Sequence, residues 1–296
     1  MVMTEEYLHY VDPLDRRVSF VRTEEGLQRV VNSFFKEHLL VKPDSMRFAV
    51  FGDAHGHITL MLHALHDWVQ YSNCPVDAIL QVGDIGAHDD LSALDTITEE
   101  ISRKDPDELG FKGYFYGSDE ADRFFGEQGT FSGTAFYFIA GNHDDRAFLE
   151  SSYDPDDFQI GHYENLHYIP SGKTVRFDGG DFNVLVAALG WNHSSSDIRR
   201  LRGKDIDILL THIPPFRRMS ERDGALSDFI ESERPKNVFF GHTHDSAPGQ
   251  SETSRNTYGL RDVQADRVGG LISGSLGILE ISRDRSGFFY VPELPR

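Results

Sequence analysis

Gly141-Asn142-His143-Asp144 follows the apolar run Phe136-Tyr137-Phe138-Ile139-Ala140. The run reads as a buried strand, so the polar tetrapeptide falls at a strand's carboxyl end, where ligands bind in α/β sheets. Asn142 can offer a neutral carbonyl oxygen to a cation, and the His143 imidazole can give a proton to a leaving group. One such tetrapeptide is a weak signal. Its weight comes from four further polar clusters, each placed after an apolar run.

Working toward the amino terminus, Arg47-Phe48-Ala49-Val50-Phe51 reads as a strand that ends in Gly52-Asp53-Ala54-His55-Gly56. Side chains two apart on extended backbone project to one side, so Asp53 and His55 have metal-ligand spacing. Residues 58–71 then read as a helix, with His57, His63 and His66 in surface or packing roles. Asp77-Ala78-Ile79-Leu80-Gln81-Val82 is the next strand and delivers Gly83-Asp84. Strand, helix and strand make a right-handed βαβ unit, which sets Asp84 near Asp53.

Toward the carboxyl terminus, a short helix is expected over 145–151, a turn and strand over 168–177, and a strand over 182–190 that closes on Trp191, Asn192 and His193. Strands now follow strands, so a second sheet or an antiparallel margin is expected. Asp207-Ile208-Leu209-Leu210 leads into Thr211-His212, and Asn237-Val238-Phe239-Phe240 leads into Gly241-His242-Thr243-His244, with a helix over 224–234 between them. The segments 271–273, 276–281 and 288–291 read as closing strands.

Two regions stand outside this rhythm. Residues 1–46 form an extension in which Thr23-Glu24-Glu25, followed by Leu27, Val30, Val31, Phe34 and Phe35, predicts an N-capped packing helix that Pro43 stops. Residues 102–133 are an insertion carrying Phe111, Tyr114, Phe115, Tyr116, Phe124, Phe125 and Phe131. A self-packed excursion is the expectation there, against a lid whose rings stack on a substrate base.

The bulk numbers bound the function. The 296 residues, 39% of them hydrophobic, suffice for one sizeable core, read as a single domain over 47–296. The lone cysteine, Cys74, cannot form an internal disulfide, and residues 1–10 lack the basic start and apolar core of a signal peptide, so a cytoplasmic setting is expected. No apolar run reaches membrane-spanning length. A net charge of −19 argues against binding duplex nucleic acid or an anionic membrane.

In order, the clusters are Asp-x-His, Gly-Asp, Gly-Asn-His-Asp, a lone His and Gly-His-x-His. As a set, over Arg47 to Asp245, this resembles the calcineurin-like metallophosphoesterase superfamily. The resemblance implies an α/β fold, a four-layer α/β/β/α sandwich of two mixed sheets, with two divalent metal ions. Asp53, His55 and His244 would hold one ion, Asn142, His212 and His242 the other, and Asp84 would bridge them. His143, with Asp144 beside it in the catalytic set, would protonate the oxygen that leaves as metal-bound hydroxide attacks phosphorus; Asn142, His88 and Arg146 are candidate substrate contacts. Mixed N/O ligation suits Mn²⁺, taken first, or Fe or Zn²⁺. Two such ions outweigh two aspartates and a hydroxide, leaving a positive patch in an acidic protein.

Departures within the superfamily narrow the substrate. Ser/Thr protein phosphatases continue the second block with Asp-Arg-Gly, where this chain has Ile85-Gly86-Ala87-His88. The phosphate-clamping arginine is therefore missing. RNA lariat debranching enzymes are similar in Ala54-His55-Gly56 but carry cysteine where this chain has Asp53. The leading expectation is a phosphodiesterase for a nucleotide or other small diester; the alternatives are a phosphomonoesterase of the same fold and a non-catalytic scaffold, as in retromer.

Overall fold

The structure, a computed structural model, describes residues 18–23, 26–31, 45–72, 74–89, 94, 96–215, 221–243, 256–264, 271–272 and 274–291. Its first elements correct an expectation. In place of a helix from Thr23, β1 (Val18–Thr23) and β2 (Gly26–Val31) pair antiparallel, from Val18↔Val31 to Thr23↔Gly26. Gly26 would cost a helix about 1 kcal/mol relative to alanine, and the β-branched Val18, Val21, Val30 and Val31 favour extended backbone. Phe34, Phe35 and Pro43 lie outside the described residues.

β3 (Ser45–Phe51) shows how one strand serves two layers. Met46, Phe48 and Val50 enter one apolar core, and Ala49 and Phe51 enter another on the opposite face. A strand buried on both faces needs such a nearly continuous apolar run. Helix α1 (Ile58–Ser72) covers one face through Ile58, Met61, Leu62, Leu65 and Trp68, and β4 (Ala78–Gln81) returns parallel to β3 with Phe51 opposite Gln81. The βαβ unit therefore forms as expected.

Helix α2 (Thr96–Ser102) leads into the insertion, which holds a 3₁₀ turn (Pro106–Leu109), α3 (Phe111–Tyr116) and α4 (Asp119–Phe125) and ends before β5 (Ala135–Phe138). Asp105 caps the turn and Ser118 caps α4, each side-chain oxygen accepting a backbone N–H. Phe111, Tyr114, Phe124, Phe125 and Phe131 are buried in the core beneath α1, and Tyr116 is exposed with its hydroxyl on Asp89. The excursion packs against the domain core rather than only on itself, and most of its aromatic rings are committed to that packing.

After α5 (Arg146–Ser152) come β6 (Leu166–Tyr168), β7 (Thr174–Asp178) and β8 (Asn183–Leu189). Residues 168–177, expected as one turn and strand, are where the chain leaves one sheet for the other. Pro170 and Gly172 sit in that crossing. Then follow α6 (Ser195–Leu201), β9 (Ile208–Thr211), α7 (Glu221–Glu233), β10 (Asn237–Phe240), β11 (Thr257–Gly259), β12 (Leu276–Ser282) and β13 (Arg285–Tyr290).

The six-stranded sheet runs β13-β12-β3-β4-β5-β6 and the five-stranded sheet β11-β10-β9-β8-β7. Both are mixed: β3 to β6 and β8 to β11 are parallel, while β12, β13 and β7 are antiparallel margins. A core of Phe48, Val50, Leu80, Val186, Leu210 and Phe239 lies between the sheets, and Leu226, Phe229 and Ile230 of α7 cover the outer face of the second. The result is the expected four-layer α/β/β/α sandwich. Among the described residues, no helix is long and apolar enough to cross a membrane.

Candidate metal centre

The parallel strands deliver polar residues from both sheets to one place. Asp53 and His55 follow β3, Asp84 follows β4, Asn142 and His143 follow β5, His212 follows β9 and His242 follows β10. Gly141 and Gly241 make the room. A Cβ on Gly141 would lie 2.0 Å from Asp84 Oδ1, and one on Gly241 would lie 1.9 Å from Asp53 Oδ1. Any side chain there would collide with a carboxylate.

Asp53, Asp84 and His212 are wholly buried. His212 Nδ1 lies 3.0 Å from the Val82 carbonyl, so it carries the proton and donates it there. In a neutral ring Nε2 is then a lone pair, and it faces two acceptors, Asn142 Oδ1 at 2.9 Å and Asp84 Oδ2 at 3.3 Å. Three lone pairs converging need either a metal cation or a proton on Nε2 among them. Burial alone would push His212 down, but the charges of Asp84 and Asp53 and the hydrogen bond to Asp84 lift it to about 9. Asp84 is held well below the usual carboxylate range because His212 and His55 outweigh its burial.

Asp53 is the counterpart on the other side. Its Oδ2 accepts the His242 backbone N–H at 2.8 Å, and its Oδ1 accepts no hydrogen bond among the described residues. Burial, against the pull of His212 and with the repulsion of Asp84 and Asp262, raises it to about 7. A buried carboxylate oxygen left this way costs several kcal/mol unless a cation meets it. Ligand atoms of Asp84, His212 and His242 fall within 4.8 Å of one another, as do those of Asp53, His55 and Asp262. The donor sets fit two divalent ions.

His143 donates its backbone N–H to Asp84 Oδ1 at 2.7 Å, and its ring centroid lies 5.6 Å from that of His55. Its Nδ1 is 3.5 Å from the hydroxyl of the buried Thr98 on α2. Trp191, just past β8, packs its ring 4.7 Å from His242 and 5.9 Å from His212, centroid to centroid. The tryptophan lines the centre.

A sequence model of the calcineurin-like phosphoesterases matches residues 46–246. The chain belongs to the calcineurin-like phosphoesterase family. No curated protein matches the sequence. Similar solved structures include a novel phosphatase of Mycoplasma pneumoniae, with 12% identity, a TM-score of 0.43, and 85% of this chain and 95% of that one covered. A conserved predicted phosphoesterase of Streptococcus pneumoniae TIGR4 has 13% identity and a TM-score of 0.35, with 83% and 98% covered. Vacuolar Protein Sorting 29 of Cryptosporidium parvum has 10% identity and a TM-score of 0.33, with 86% and 100% covered.

In this phosphoesterase the remaining expected residues fall in three kinds of place. Asp144 is buried and its carboxylate accepts the backbone N–H groups of Gly141 at 2.8 Å, Gly86 and Ala87 at 3.0 Å and Ile85 at 3.3 Å. It ties the Asp84 loop to the Asn142 loop. His88 is half-buried next to Ala87, and its buried Nε2 has no hydrogen-bond partner among the described residues. Arg146 is exposed, 3.5 Å from Glu150 one turn on in α5 and 3.3 Å from the Asn192 carbonyl, so its guanidinium ties the start of α5 to the loop after β8. His244 lies outside the described residues.

Three contributors escaped the sequence reading. Glu108, from the 3₁₀ turn of the insertion, reaches His55 Nδ1 at 3.3 Å and is itself buried. Burial opposes charging His55, but the hydrogen bond to Glu108 and the charges of Asp84, Asp53 and Glu108 raise it to about 9. A carboxylate on Nδ1 fixes the ring and turns Nε2 to the centre. Thr98 and Asp262 are the others. None of the three lies directly after a strand of hydrophobic run and glycine, the signal that found the rest.

Proposed function

We propose that this phosphoesterase is a metal-dependent phosphodiesterase with a dinuclear centre. The observation that carries the reading is His212 Nε2 facing Asn142 Oδ1 and Asp84 Oδ2 across a buried point, next to a second cluster containing Asp53 and His55. Asp53 and His55, with His244, would hold one ion, Asn142, His212 and His242 the other, and the Asp84 carboxylate would serve both. Bound divalent ions supply Lewis-acid polarisation of the phosphoryl oxygens and of the attacking water.

The chain's own residues do the rest. The backbone hydrogen bond from His143 to Asp84 ties the position of that histidine to the bridging carboxylate. As a water that has given one proton to solvent bonds through its oxygen to phosphorus and the ester P–O bond breaks, the His143 ring gives its proton to the departing oxygen. Asp144 holds the two loops in register, and Trp191 keeps the His212 and His242 rings in place and excludes bulk water from them. His88 is a candidate phosphate contact on the rim.

A small diester is favoured over a monoester on charge. A monoester dianion asks for more cationic contact than a diester monoanion, and here Arg146 is engaged with Glu150 and Asn192. Nucleotide-type diesters and Mn²⁺ are the first substrate class and ion to try. We take residues 47–296 as the catalytic unit and 1–46 as an extension, and a cytoplasmic setting from the single, buried Cys74.

The test is Mn²⁺-dependent hydrolysis of a chromogenic phosphodiester beside its monoester, in wild type, Asp84→Asn and His143→Ala. We expect diester turnover to exceed monoester turnover and to fall by roughly 10²–10⁴-fold in His143→Ala, the usual range for a general acid, and at least as far in Asp84→Asn. Turnover within a few-fold of wild type in either variant overturns the assignment. Monoester preference overturns the diester reading alone.

A further inference from the structure

Asp262 lies three residues beyond β11 and outside the motifs of the family, yet it faces the same point as Asp53 and His55. Ligand atoms of these three side chains lie within 4.8 Å of one another. The backbone puts it there. β11 pairs with β10 at Phe240↔Gly259, the Leu260 N–H donates to the Phe240 carbonyl at 2.9 Å, and the Val263 N–H donates to the Asp53 carbonyl at 2.7 Å. The Ser275 hydroxyl donates to the carbonyl of Asp262 itself. Residues 259–263 are thus pinned on both sides against the loop that carries Asp53.

Burial gives the arrangement its meaning. Asp262 is 5% exposed and Asp53 0%, so two carboxylates approach each other away from water. Like charges so placed repel strongly. Asp53 Oδ1, fully buried, accepts no hydrogen bond among the described residues, so at least one oxygen of the pair is open to a cation. A divalent ion among Asp53, His55 and Asp262 turns the repulsion into ligation.

We propose that Asp262 is a further ligand of the ion held by Asp53 and His55. This rests on the dinuclear reading above and extends it: the first ion gains a second terminal carboxylate. Its donor set becomes richer in oxygen than that of the ion at Asn142, His212 and His242. Carboxylate-rich sites suit Mn²⁺ better than Zn²⁺, so the two positions differ in the ion they prefer.

The experiment is Mn²⁺ titration by calorimetry of wild type and Asp262→Asn, with melting temperatures measured in chelator and in Mn²⁺. Wild type is expected to bind two ions. Asp262→Asn keeps one of them at wild-type affinity and binds the other about tenfold more weakly or worse, as outer partners alone command about that much. In chelator Asp262→Asn melts higher than wild type, because the repulsion with Asp53 is gone, and the rise on adding Mn²⁺ is smaller. A merely structural Asp262 gives a lower melting temperature in chelator with unchanged Mn²⁺ affinity, and that overturns the proposal. Asp262→Ser is compared in parallel, so a folding defect of one substitution does not decide. Two ions bound equally well by wild type and variants overturn the role of Asp262 alone; a wild type that binds none of Mn²⁺, Fe²⁺ or Zn²⁺ overturns the dinuclear reading beneath it.

Discussion

His55, Asp84 and His242 share an unusual backbone: their φ values are 42°, 54° and 67°. Left-handed conformations disfavour residues with a Cβ and cost on the order of 1–3 kcal/mol each. Three such residues converging on one point mark a place where position is held against local preference. Gly241 shows how narrow the tolerance is, since a Cβ there would sit 1.9 Å from Asp53 Oδ1. Gly241→Ala is expected to displace Asp53 and lower kcat/KM roughly 10²-fold, the effect of a misplacement near 1 Å, while circular dichroism shows the fold retained. A near-wild-type kcat/KM would mean that Asp53 need not stay where it is. At this scale Asp53, His55, Asp84, Asn142, His212 and His242 were legible because each follows an apolar run at fixed spacing. Glu108, Thr98 and Asp262 were not, since they reach the centre from a turn, a helix and a segment after a three-residue strand, and only the folded chain brings them near.

The insertion is more than an excursion. Its aromatic residues pack into the domain core beneath α1, and its 3₁₀ turn supplies Glu108 to His55. Glu108→Gln removes the charge and keeps the shape. We expect Mn²⁺ affinity to fall about 10–100-fold, as for other carboxylates that orient ligating histidines, with little change in melting temperature in chelator. Unchanged affinity by calorimetry would confine the insertion to packing. Elements with a strong period were read correctly, α1 and the strands β3, β4, β5, β8, β9 and β10 above all. The β1–β2 hairpin was not, because apolar spacing alone favoured a helix while Gly26 and four valines favoured strand. The turn and strand over 168–177 formed as β7 and the turn before it, but the short strands β6 and β11 escaped notice, each offering just three residues, Leu166-His167-Tyr168 and Thr257-Tyr258-Gly259.

At the scale of the molecule, each sheet contributes half a centre. The six-stranded sheet brings Asp53, His55, Asp84, Asn142 and His143; the five-stranded sheet brings Trp191, His212, His242 and, beyond its edge strand, Asp262. Val82 and His212 are hydrogen-bonded across the seam, 130 positions apart in sequence. The site is thus a product of how the two sheets pack; the residues alone pointed to a second sheet or an antiparallel margin, and the four-layer sandwich came from the resemblance that the ordered motifs carry. In the proposed dinuclear centre Asp84, at the seam, decides whether the two ion positions act as one. The most direct measurement is electron paramagnetic resonance of the fully Mn²⁺-loaded protein beside Asp84→Asn. The account predicts the signal of an exchange-coupled Mn²⁺ pair in wild type and its loss in the variant; isolated Mn²⁺ signals in wild type at full loading would contradict it.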